Sequence, residues 1–261
     1  MLIDCNTYIG HWPFRQLRHN TCASRLEHMD ALGVDIALVS NLNGIFYKDS
    51  QAANEELHDA IRTERRFADR FIPFAVINPV FAGWKDDMEK SIGKLGMKGI
   101  RLYPKYHRYE LDHPECIDLV KIARDKNLPI ALSLRMVDSR PSSWLDIQKE
   151  WALKDVLPII KAVPDAKFLI LNVANNANLQ EQEMEVFRKA ELIMDTSGRN
   201  IIHLGQMLES FGKEKFAFGS HAPILDYYTG LIRVESLMGN EADDATKSLL
   251  RSGNIRRLLD L

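Results

Sequence analysis

The chain is poor in the residues on which small cross-linked domains depend. Among its 261 residues there are three cysteines, Cys5, Cys22 and Cys116, widely spaced and without a CxxC pair. This argues against both a disulfide framework and a structural zinc site, and the thiols read as buried or free. An excess of either charge is also missing: 34 Lys and Arg stand against 36 Asp and Glu, a net charge of -2. With no basic tail or one-sided charge run, nothing offers a surface to nucleic acid or to a membrane. No apolar run approaches membrane-spanning length. The opening MLIDCNTYIG has an acid at Asp4 and no basic stretch before an apolar one, so no signal peptide is expected. The expectation is a soluble, cytoplasmic protein whose partners are small molecules. A dinucleotide fingerprint, GxGxxG after the first apolar run, is absent as well.

What the sequence does have is material for a large core and a regular alternation. It is 46% apolar and 27% charged, and its length falls within the range of one α/β barrel, so a single domain over residues 1–261 is expected. Eight short apolar runs alternate with longer amphipathic stretches: LID from Leu2, DIALVS from Asp35, RFIPFAVIN from Arg70, KGIRLY from Lys98, LPIALSL from Leu128, KFLILN from Lys167, ELIMDTS from Glu191 and KFAFGS from Lys215. Their starts lie roughly 30 residues apart, the length of a strand, a crossover helix and two loops. In the intervening stretches Leu26, Met29 and Leu32 share one helical face, as Ile117, Val120 and Ile122 do in the fourth, while Gly33 and Asn127 stand where helices stop.

Eight βα units predict a closed (β/α)8 barrel over a doubly wound open sheet, and the ends of the runs support closure. Asn41, Asn78, Arg101, Ser133, Asn172, Asp195 and His221 each follow or interrupt an apolar stretch. In a barrel such ends converge on one mouth, where sites are assembled from several strands; an open sheet leaves many of them far apart. In the first run, Asp4, Asn6 and Tyr8 have the parity expected to face the barrel interior, with Ile3, Cys5, Thr7 and Ile9 facing the helices.

In order and spacing, MLIDCNTYIG, RFIPFAVINP, GMKGIRLYP, LPIALSL, PDAKFLILNVANN, LIMDTSG, FAFGSHAP and the closing GNIRRLLDL make the chain resemble the metal-dependent hydrolases of the amidohydrolase superfamily, in particular the amidohydrolase-2 branch of lactonases and decarboxylases. The resemblance implies a TIM barrel and an active site at its mouth. It also exposes departures. The family's opening Asp-x-His-x-His reads Asp4-Cys5-Asn6-Thr7-Tyr8 here, so its two ligand positions hold Asn6 and Tyr8. The histidines expected after LPIAL and FLIL are Ser133 and Asn172. The aspartate of the family's FGSD, which binds metal and shuttles a proton, is His221.

Catalytic zinc takes about three protein ligands drawn from imidazole, thiolate and carboxylate. Asn, Ser and a neutral Tyr are poor replacements, and one imidazole among neutral oxygens suits neither zinc nor iron, magnesium or calcium. No catalytic metal and no other cofactor is therefore expected; a site rebuilt from His11, His221 and Asp195 is the remaining way to hold a metal, and no HxH or HxxxH pair supports it. Chemistry then falls to His221 as a general base, Tyr8 as a donor to a developing oxyanion and Asp195 as the carboxylate that orients His221. Arg101 and Arg135 are placed for an anionic substrate held in bidentate fashion or for pairing with an acid. Asn6, Ser133, Asn172 and His11 complete the substrate-binding set, and Trp12 and Phe14, with Tyr103 and Tyr106, form aromatic loops over the mouth. Two functions follow: a metal-independent hydrolase or lactonase for a small carboxylated or polyhydroxylated compound, or a catalytically silent barrel that binds a small molecule or a protein partner. Within the family, a homodimer through the outer helices is compatible with either.

Overall fold

The structure, a computed structural model, describes residues 1–137, 151–173, 179–198 and 203–261; the end of the PDAKFLILNVANN motif, 174–176, lies outside them. The apolar runs form strands β1 (Ile3–Ile9), β2 (Ile36–Asn41), β3 (Phe71–Pro73), β4 (Ala75–Val76), β5 (Ile100–Leu102), β6 (Ile130–Ser133), β7 (Phe168–Leu171), β8 (Leu192–Asp195) and β9 (Phe216–Ala217). They pair in parallel, in the order β1-β2-β3 and then β4 through β9.

β3 and β4 are one run interrupted at Phe74. Pro73 has no amide hydrogen for a ladder, and beyond it the amides turn from β2 to the other neighbour: Phe74 donates to Val39 and Ala75 to Gly99. Gly99 leaves the space that Phe74 fills, since a Cβ there would lie 2.4 Å from the ring. At the other seam the Cys5 amide donates to the Phe218 carbonyl at 3.0 Å and the Tyr8 amide to the Ala222 carbonyl at 2.9 Å. The sheet thus closes into a (β/α)8 barrel, with each of the eight runs supplying one staves' worth of strand.

Helices follow the strands: α1 (Cys22–Ala31), α2 (Ser50–Arg62), α3 (Trp84–Gly93), α4 (Pro114–Asp125), α5 (Leu157–Ala162), α6 (Glu181–Lys189), α7 (Leu204–Phe211) and α8 (Tyr227–Glu235), with α9 (Asn254–Leu259) near the C-terminus. Thr21 and Ser24 close a capping box at the start of α1, satisfying amides that the first turn leaves free. Gly33 (φ 68°) and Asn127 (φ 57°) take the left-handed turn that ends a helix, as the sequence predicts. The buried face of α4 differs from the predicted one: Cys116, Leu119, Val120 and Ala123 are buried, while Ile117 and Ile122 are only partly covered. The apolar stripe is centred one residue away, where two small residues let the helix approach the sheet. No helix among the described residues is long and apolar enough to cross a membrane.

The parity expected along β1 holds for only part of the strand. A register shift falls between Asp4 and Thr7, and such a bulge reverses which side chains face inward. Below it Ile3 and Cys5 pack with Leu38, Ala131, Leu169 and Ile193 in the barrel interior, whereas Asp4 pairs with Ala37, which packs on α1. Above it Asn6 and Tyr8 face inward as expected. Three layers result: an apolar base closed by Ile255 and Leu258 of α9, a polar middle layer, and an apolar cover of Tyr8, Leu42, Val76, Tyr103, Met136 and Ile224.

Candidate functional site

The middle layer is built around Arg101. Its neighbours Ile100 and Leu102 pack outward, and its register partner is the inward Ala131, so strand alternation turns the guanidinium inward. There it donates to the Asn6 amide oxygen and, at 3.2 Å, to the Thr7 carbonyl. Its Cζ lies 4.1 Å from the centroid of the Tyr8 ring, an arrangement that favours a cation over an aromatic face. Arg101 is 2% exposed. It pairs with neutral oxygens, and among the described residues neither Asp4 nor Asp195 forms an ion pair with it.

Asn6 links this cation to a carboxylate. Its Nδ2 donates to Asp195 Oδ2 at 2.7 Å and lies 3.1 Å from both Ser197 Oγ and His221 Nδ1. Asp195 also accepts from the Ser197 hydroxyl and, at 2.7 Å, from the Asn172 amide. Burial nevertheless holds the Asp195 carboxyl above its ordinary pKa, against those hydrogen bonds and the positive charge of Arg101. Gly219 is needed beside it, because a Cβ there would come within 2.7 Å of Asp195 Oδ2.

His221 is fully buried and bonded at both nitrogens. Nε2 lies 2.8 Å from the Met136 carbonyl, a pure acceptor, so Nε2 carries the proton. Nδ1 is then the acceptor for the Asn6 amide at 3.1 Å and the Tyr8 hydroxyl at 3.3 Å. Burial pushes its pKa down to about 3; the Met136 bond opposes the shift, and the charges of Arg101 and Arg135 reinforce it. Contrary to the expectation from sequence, Asp195 does not orient His221 directly; Asn6 stands between them. The Tyr8 hydroxyl is also 3.4 Å from Ser133 Oγ, and Ser133 is the partly exposed member of the group. Asn172 joins through the Arg135 carbonyl, which its Nδ2 meets at 3.1 Å. Both Asn172 (φ 59°) and His221 (φ 61°) adopt left-handed backbone conformations, as residues held at sites of function often do.

The structure therefore brings together Asn6, Tyr8, Arg101, Ser133, Arg135, Asn172, Asp195 and His221. His11 stays apart: it is exposed, 3.4 Å from Asn20. A site rebuilt from His11, His221 and Asp195 is not formed, and among the described residues no three His, Cys, Asp or Glu side chains are grouped for a metal. Trp12, Phe14 and Tyr106 do gather above the layer. Phe46, which the sequence reading missed, joins them at 5.1 Å from Trp12 and 5.7 Å from Tyr106.

A divalent metal does not fit this donor set. The lone pair of His221 Nδ1 faces two donors, both Asp195 oxygens are occupied, and burial holds the Tyr8 phenol above its ordinary pKa and so neutral. Among the oxygens of this group only the side-chain Oδ1 of Asn172 lacks a partner. A metal entering this layer would also meet the guanidinium of Arg101, whose positive charge already balances Asp195 through Asn6.

A family model described as Amidohydrolase matches residues 24–261, a stretch that begins after β1 and so leaves out Asn6 and Tyr8. None of the curated proteins matches the chain. Among solved structures, 2,6-dihydroxybenzoate decarboxylase from Rhizobium is similar at a TM-score of 0.73 and 16% identity, over 99% of this chain and 98% of that one. 5-Carboxyvanillate decarboxylase from Sphingomonas paucimobilis is similar at 0.76 and 14%, over 100% and 99%. A dihydroxybenzoic acid decarboxylase from Polaromonas with bound manganese is similar at 0.71 and 13%, over 100% and 97%. At these identities the likeness speaks for the fold alone.

Proposed function

This chain belongs to the Amidohydrolase family, and from that membership and the network around Arg101 we propose that it is a barrel that binds a small carboxylated or polyhydroxylated compound without hydrolysing it. The observation that carries this reading is the locked state of His221. A general base works best with a pKa near the operating pH, whereas His221 is buried, bonded at both nitrogens and pushed down to about 3. With a guanidinium in place of a Lewis acid, neither half of a water-activating pair is supplied. A ligand at the mouth meets Ser133 and Arg135 first, the least buried polar groups of the set.

A second reading, a metal-independent hydrolase or lactonase, is favoured by one feature. Ser133 Oγ, Tyr8 OH and His221 Nδ1 form a chain with steps of 3.4 and 3.3 Å, a route by which a serine proton reaches an imidazole. The two readings separate on a panel of lactones, amides and esters. We expect no turnover above the protein-free rate, together with carboxylate binding, seen by ligand-observed NMR, that weakens in Ser133→Ala. Turnover that falls by about 100-fold or more in both Ser133→Ala and His221→Ala, the range for a lost acid-base group, would reverse the conclusion.

A further inference from the structure

Away from the barrel axis, a second buried cation lacks an explanation within the fold. Arg25 lies on the buried stripe of α1 with Cys22, Leu26 and Met29. It is 0% exposed, and none of its three guanidinium nitrogens has a hydrogen-bond partner. Its Cζ stands 5.7 Å from the Tyr227 ring centroid. Asp4 is near enough for its charge to act on Arg25, yet the Asp4 oxygens accept from the Asn6 amide at 2.9 Å and from the Ser220 amide and hydroxyl at 3.0 and 2.5 Å. Guanidinium does not shed its proton in proteins, so a buried one with no hydrogen-bond acceptor calls for an acceptor from outside the chain.

A cavity adjoins this side chain. Arg25 lines a cavity of about 420 Å³ between segment 15–19, after β1, and segment 222–226, after β9. Arg15, Arg18, His19 and His28 line it too, and Asp226 is the one carboxylate among these lining residues. One oxygen of Asp226 is committed to the Tyr228 amide at 2.8 Å, capping α8. The two segments are tied together where Arg15 donates to the Ile224 carbonyl at 2.6 Å. His19 and His28 stack at 4.2 Å, and His28 meets Tyr227 edge-on at 5.2 Å; this ring stack braces the wall around Arg25. Burial, with His19 and Arg25 alongside, holds His28 below its ordinary pKa, consistent with a surplus of positive charge.

We propose that this cavity is a binding site for a small oxyanion, the phosphate or carboxylate group of a small molecule, with Arg25 at its base and Arg18 at its rim. The site shares no side chain with the network of Asn6, Tyr8, Arg101 and His221, so it stands or falls independently of the function proposed above. The test is calorimetric titration of the chain with inorganic phosphate and, separately, acetate, at constant ionic strength set with chloride. Saturable binding of one anion per chain is expected; preference for phosphate identifies a phosphorylated ligand, preference for acetate a carboxylated one. Loss of one charge-assisted hydrogen bond predicts roughly tenfold weaker binding in Arg18→Gln and a larger loss in Arg25→Met. If Arg25→Met does not fold, the exposed Arg18→Gln carries the comparison. No saturable binding of either anion up to about 20 mM, a concentration that still detects millimolar affinity, overturns the proposal; so does an affinity unchanged in Arg18→Gln and in any folded Arg25→Met.

Discussion

Arg101→Met is expected to lower the melting temperature by about 10 °C, the largest loss of any single substitution in the polar layer. Three losses add. The Asn6 side-chain oxygen and the Thr7 carbonyl each lose a charged donor, the Tyr8 ring loses its cation, and the buried Asp195 loses the positive charge of Arg101, keeping only that of Arg233. Removing one side of a buried charge arrangement costs about 3–5 kcal/mol, and in a chain of this size each kcal/mol is worth roughly 2–4 °C. Methionine keeps much of the volume, so a cavity contributes little. Arg101→Lys should recover less than half of the loss, because an ammonium cannot reach both oxygens while lying flat on the ring. Thermal melts followed by circular dichroism decide: a Met variant that melts within about 2 °C of the parent would mean that the guanidinium does not hold the layer together.

His221→Gln is the second large effect, and its signature is a dependence on pH. The folded chain holds His221 neutral, with its pKa near 3 against 6.5 for a free imidazole. Between those values the unfolded chain binds a proton that the folded chain does not, so the stability supplied by a neutral His221 is complete above pH 6.5 and is lost as pH falls toward 3. Glutamine can accept from Asn6 and donate to Met136 but does not titrate. The variant is therefore less stable than the parent at pH 7, and the gap narrows by about 1.4 kcal/mol for each pH unit below 6.5. By pH 5 the narrowing reaches about 2 kcal/mol. His107, pushed down to about 4 by burial, acts in the same direction in both chains, and Asp4, raised to about 6 by burial, acts in the opposite one; both cancel in the difference. Urea unfolding at pH 7 and pH 5 measures it. A gap that stays constant would show that His221 is free to take up a proton in the folded state.

How much of this was legible beforehand depended on whether a residue's neighbours are set by strand alternation or by tertiary accident. The barrel and its eight strands could be read because parallel strands covered on both faces are continuous apolar runs, and the polar residue ending each run marked the mouth. Arg101, Ser133, Asn172, Asp195 and His221 were found in this way. Alternation failed in β1, where the bulge between Asp4 and Thr7 moved Asp4 out of the interior. No local residue pattern announces such a shift. The intervention of Asn6 between Asp195 and His221 was equally hidden, since it depends on three strands meeting. Arg25 did leave a trace: an arginine spaced three before His28 and four before Met29, inside the stripe of Cys22, Leu26 and Met29, is a cation on a face that must be buried. His19 and His28 have no ligand-pair spacing in the sequence, and only the fold stacks them.

On the proposed reading a guanidinium, and not a metal ion, supplies the positive charge of the polar layer. This is tested most directly by equilibrium dialysis of the purified chain against zinc and against manganese, followed by elemental analysis. Far less than about one ion per chain is expected, because the ligands that such an ion requires are missing among the described residues. A stoichiometric ion that is lost when Asn6 and His221 are replaced by alanine would contradict it.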